Sequence, residues 1–155
     1  MNNINYNKIG AIFFILWGVL HVFGGGALML SATTNINEHL QGTGTGASNE
    51  QLPNLMQETV VSGIASFHSF NLFWMGLLVT IIAVMLNWKG SKIGFWINLA
   101  ITGMADLGLL LFLVGPGYMF WSDGLPGPIL FILCVLFSGL GIWKSLRGNE
   151  SLETV

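Results

Sequence analysis

Four stretches of the chain are almost continuously apolar. They run from Ile9 to about Leu30, from Val60 to Leu86, from Ile93 to about Val114, and up to Trp143 from a start near Leu125. Polar and turn-forming segments separate them. None alternates apolar and polar residues as the strands of a membrane barrel do. A helix rises about 1.5 Å per residue, so ~20 residues cross a hydrocarbon core of ~30 Å. The first three stretches reach that length. The fourth reaches it only if Pro126 and Pro128 sit in its first turn, where a missing backbone N–H is tolerated. The pattern predicts an all-α integral membrane protein, a four-transmembrane-helix bundle with helices at about 9–30, 60–86, 93–114 and 126–143 in a single domain spanning 1–155.

The first stretch has one competing explanation. Lys8 precedes it, and Leu30-Ser31-Ala32 resembles a cleavage site. Secretory apolar cores are shorter, about 7–15 residues, so this stretch is read as a retained helix.

The polar connections differ in kind. Residues 31–58 form a long outer loop with a turn-forming centre, "GTGTGAS", and a stretch, "NEQLPNLMQETVV", that either extends the second helix or lies along the surface. Between the third and fourth helices, "GPGYMFWSDGLPGP" mixes Gly and Pro with aromatics, which suits a rigid turn at the membrane interface. The tail "RGNESLETV" is polar and reads as frayed.

Composition strengthens the membrane assignment. Of 155 residues, 53% are apolar and 8% charged, against about a quarter charged in a soluble domain. Too little charge is present to cover a globular surface, and mean hydropathy is +0.71. The formal net charge of −2 and the absence of a basic patch argue against nucleic acid as a partner. Cys134 is the single cysteine, so no intrachain disulfide can form.

The distribution of charge sets a predicted orientation. Lys8 precedes helix 1, Lys89 and Lys92 lie between helices 2 and 3, and Lys144 and Arg147 follow helix 4. The other two connections contain no Lys or Arg. By the positive-inside rule both termini are cytoplasmic (N-in/C-in), and the protein is expected to be multi-pass in a cell membrane, the bacterial inner membrane being the natural setting. Trp88, Trp96 and Trp143 then fall near the inner interface, and Tyr118, Phe120 and Trp121 near the outer one.

Polar residues within the apolar stretches carry the functional signal. Helix 1 contributes His21, one turn after Trp17. Helix 2 contributes His68 and Asn71, followed by Trp74. Helix 3 contributes Asn98, Thr102 and Asp106, spaced i, i+4, i+8 on one face. A charged group at the membrane centre costs about 2.5–3.5 kcal/mol on insertion scales. Asp106 is therefore expected to turn inward and meet a histidine. Helix rise places His21 roughly 20 Å from Lys8 and Asp106 roughly 21 Å from Lys92, nearly level in the outer half of the membrane. His68, about 31 Å from Lys89, lies one to two turns further out, with Asn71 between. His21, His68, Asn71 and Asp106 are the candidate ligand or metal residues, with Trp17, Trp74, Thr102 and His39 in support. His39 would fold over the mouth from the outer loop. Asn98 lies deeper and is expected to bond a neighbouring helix. Trp17 and Trp74 on their own read as core packing.

Several chemistries suit such a group. Two histidines and a carboxylate are a transition-metal donor set, and two histidines can bind haem axially, although their unequal depth counts against the latter. Neither an HxxxH nor an HxxE pair occurs. His–Asp pairing also suits acid–base catalysis on a lipid-soluble substrate. A nucleophile triad pattern, a phosphate loop and a CxxC are all absent. The leading expectation is a polar site open to the outer face that binds a small or amphipathic ligand, metal or cofactor. Its rival is a non-catalytic subunit, in a homo-oligomer or beside another membrane protein, whose polar residues only lock helices together.

Overall fold

The computed structural model describes residues 5–34 and 55–153, and no strand occurs among them. In chain order the elements are α1 (Tyr6–Thr34), α2 (Leu55–Met85), a 3-10 turn (Asn87–Lys89), α3 (Lys92–Leu109), a π turn (Leu110–Val114), α4 (Trp121–Gly124) and α5 (Pro126–Glu153). Helices α1, α2, α3 with its π turn, and α5 are long and apolar enough to cross a membrane.

Helices α1, α2 and α5 extend beyond their apolar stretches. α2 starts at Leu55 through Leu-Met-Gln-Glu, so the residues after Pro53 extend the second helix. α5 continues past Trp143 to Glu153, so the tail read as frayed is helical over its described residues. Hydropathy marks where lipid ends, while backbone hydrogen bonding decides where the helix ends. The interface turn before α5 contains one helical turn, α4, which packs against Val114 at Gly124. The long loop between α1 and α2 is described only at its helical ends, and His39 lies outside the described residues.

α2 and α3 are joined by a tight turn. Gly90 takes the left-handed φ of 74° there, which a residue without Cβ adopts at little cost. Ser91 then caps α3, its Oγ accepting from the Gly94 N–H at 3.3 Å.

α1 is the hub, packing most extensively on α2 and then on α5. The α1–α2 contact is backbone to backbone. A Cβ on Gly76 would stand 2.6 Å from the Gly18 carbonyl oxygen and 2.9 Å from the His21 Cβ, and one on Gly25 would stand 2.6 Å from the Phe73 nitrogen. Position 18 thus meets 76 while 25 meets 73, so the helices run antiparallel with glycine at the crossing, as membrane helices favour. Phe14, Trp17, Val79, Ala83, Phe95 and Cys134 form the apolar core.

Polarity is distributed as a lipid solvent requires. Ser69, Asn87, Asn98, Thr102, Asp106 and Ser138 are buried, while Phe23, Phe67, Ile93, Met104 and Phe112 are each at least two-thirds exposed. Such a surface would be unstable in water and is at home in hydrocarbon.

Candidate functional site

Trp17, His21 and Asp106 meet where α1, α3 and the start of α5 converge. Trp17 is completely buried and Asp106 is 3% exposed. The Trp17 Nε1–H donates to Asp106 Oδ2 at 3.0 Å. His21 Nδ1 lies 2.8 Å from the Trp17 carbonyl oxygen, one turn back on its own helix. A carbonyl only accepts, so Nδ1 carries the hydrogen and Nε2 is left as the other ring nitrogen. The imidazole stacks on the Trp17 indole, with centroids 3.6 Å apart and an interplanar angle of 18°.

Gly127 closes the site. A Cβ built there would stand 2.8 Å from Asp106 Oδ1 and 3.6 Å from His21 Cε1. The carboxyl and the imidazole edge therefore both border the space that Gly127 leaves, and His21 and Asp106 share one level as helix rise predicts. Gly127 lies in the first turn of α5, so the positive end of that helix dipole is next to the carboxyl, a favourable place for negative charge. The second oxygen, Oδ1, is buried without a hydrogen-bond partner. A buried acceptor in that state costs about 1–3 kcal/mol.

The partner of Asp106 is thus an indole rather than the imidazole anticipated from sequence. His21 is engaged with its own helix, and its ring presents only an edge to the space by Gly127. Side chains on a helix lean towards its N-terminus. This turns His21 back towards Trp17. His68 is exposed. It lies eight residues from Gly76, the residue level with His21, which is about 12 Å along the axis. Asn71 is half-buried, and its Oδ1 accepts from Trp74 Nε1 at 2.9 Å. Trp74 is 41% exposed, so it belongs to the surface and does not fill the core. His21 and Asp106 are brought together, whereas His68 and Asn71 line α2 one to two turns away.

Among the described residues no group of three or more His, Cys, Asp or Glu side chains is placed to hold a metal ion. Thr102 is buried and donates to the Asn98 carbonyl at 2.7 Å, satisfying itself within α3. Asn98 Nδ2 donates to the Val79 carbonyl of α2 at 3.2 Å, the interhelical bond expected of it. π turns inside helices are frequent at functional sites, and Leu110–Val114 begins one turn beyond Asp106.

Sequence reasoning missed two contributions. Trp17 is a hydrogen-bond donor as well as packing, which the need of any lipid-buried indole N–H for a partner would have signalled. Gly127 stands between two prolines in "LPGP", but nothing local says what lies opposite it.

The chain matches no protein-family model, and no curated protein or solved structure is significantly similar to it.

Proposed function

We propose that this protein spans the membrane four times with both termini cytoplasmic, and that its Trp17–His21–Asp106 centre binds a small or amphipathic molecule entering from the outer face. One observation carries the reading: Asp106 Oδ1 is buried, lacks a partner and borders the space at Gly127 beside the His21 ring. An acceptor pair made of Oδ1 and the imidazole Nε2 suits a hydrogen-bond donor or a cation, such as an amine or hydroxyl head group. The orientation rests on the clustering of basic residues at one end of the bundle. Lys8 Nζ lies 5.5 Å from the Trp88 ring centroid beside the α2–α3 turn, and Lys144 Nζ lies 5.7 Å from that of Tyr6.

A second reading is supported by the Trp17–Asp106 bond itself, which ties α1 to α3. There the centre is a lock and the protein a non-catalytic partner-binding subunit. The two readings separate on Gly127→Ala, His21→Ala and Asp106→Asn, compared with Asn98→Ala. The measurements are native mass spectrometry with an absorption spectrum and metal content of the purified protein, and a melting curve in detergent. A binding site predicts a co-purifying species that the first three substitutions abolish and Asn98→Ala retains. Equal destabilisation by all four, with no species bound to the parent protein, would establish the lock.

A further inference from the structure

The end of the bundle opposite this centre carries a feature that the proposed function does not use. α1 and α5 approach closely there. A Cβ on Gly141 would collide with the Asn7 side chain, and one on Gly90 would come within 2.7 Å of Asn7 Nδ2. Asn7 therefore pins the start of α1 against both α5 and the α2–α3 turn. Beside this contact lies a crevice of about 380 Å³ lined by Tyr6, Leu140, Trp143 and Lys144. Its volume falls within the range of small-ligand sites, about 300–1,000 Å³.

Its lining is graded. Leu140 and Trp143, within the apolar span of α5, are 45% and 52% exposed. The Lys144 ammonium stands over the Tyr6 ring at the polar end. Lys8, Lys89 and Lys92 belong to the same end of the bundle, and the nearest acidic residues in sequence, Glu150 and Glu153, lie further along α5. A cation held at the rim of an apolar, aromatic-walled crevice at membrane-interface depth complements a phosphodiester with its acyl chains attached.

From this geometry we infer that the α1–α5 crevice is a binding site for one anionic phospholipid. The phosphate rests on the Lys144 ammonium, the glycerol region lies against Tyr6 and Trp143, and an acyl chain runs over Leu140. Basic pockets between membrane helices are suited to such head groups. The inference does not depend on what the Trp17–His21–Asp106 centre does.

The test is native mass spectrometry of the full chain in detergent, with phosphatidylglycerol and phosphatidylcholine of identical acyl chains supplied in competition. A single retained phosphatidylglycerol is expected, preferred about fivefold, the factor for one Lys contact near a membrane surface. Lys144→Gln should remove that preference and leave phosphatidylcholine retention unchanged. Lys144→Arg should keep it. Lys8→Gln, which removes the same charge at the same end but outside the crevice, should also keep it. Equal retention of the two lipids, or an equal loss with Lys8→Gln and Lys144→Gln, would overturn the site in favour of general surface charge. Displacement of the lipid by millimolar inorganic phosphate would overturn it in favour of a free-anion site. Melting curves of the variants in phosphatidylcholine verify that each is folded.

Discussion

Replacing Trp17 with phenylalanine removes the one side-chain hydrogen bond that Asp106 makes among the described residues. Oδ2 accepts from the Trp17 indole at 3.0 Å, Oδ1 has no partner, and the residue is 3% exposed. In the variant both oxygens are orphaned. Hydrogen bonds to charged groups contribute about 1.5–3 kcal/mol in proteins, whereas polar contacts between membrane helices average about 0.6 and reach about 1.7. The membrane average is low because released groups find other partners, and a carboxyl closed in by Gly127 and the core has fewer of these. A loss of about 1.5–2 kcal/mol is expected, or roughly 3–8 °C in Tm for a chain of this size. The substitution also shrinks the ring that His21 stacks on, an effect of about 0.5–1.5 kcal/mol. A single variant therefore cannot isolate the bond, and a double-mutant cycle with Asp106→Leu is required. Each single change strands one polar group, while the double change strands neither. The double variant should be more stable than the sum of the singles implies by about 1–2 kcal/mol, measured by unfolding in mixed micelles with far-ultraviolet circular dichroism. Asn98→Ala, about two helical turns away along α3, should combine additively with Trp17→Phe. If Trp17→Phe and Asp106→Leu also add to within about 0.5 kcal/mol, the bond is not energetically real and the argument for an organised centre fails.

Two further outcomes follow from the packing and the charge pattern. Gly76→Ala places a Cβ 2.6 Å from the Gly18 carbonyl oxygen and 2.9 Å from the His21 Cβ, so α1 and α2 must separate; a loss of about 1–3 kcal/mol is expected in melting, and an unchanged Tm would contradict the close crossing. Cysteines introduced at Thr43 and Ser91 should differ towards an impermeant thiol reagent added to intact cells, Thr43 labelling and Ser91 not, and the reverse result would invert the topology argued from the basic residues.

Continuous apolarity with little charge determined the number and type of the spanning elements, because a lipid solvent leaves the backbone no alternative to internal hydrogen bonds. The levels of His21 and Asp106 were also legible, since helix rise is fixed and Lys8 and Lys92 supply reference points. The burial of Asn98, Thr102 and Asp106 on one face followed from their four-residue spacing and the cost of polar groups in lipid. What one helix presents to another was not legible. That Asp106 bonds the Trp17 indole, that His21 folds back onto its own helix, and that Gly127 stands against both depend on rotation and leaning direction, which no linear pattern records. Tertiary structure likewise set the candidates' levels, because the α1–α2 crossing puts Gly76 beside His21 and leaves His68 eight residues away along α2. It also built the crevice at Tyr6 and Lys144, residues far apart in the chain, which meet because Asn7 admits both α5 and the α2–α3 turn where glycine leaves room.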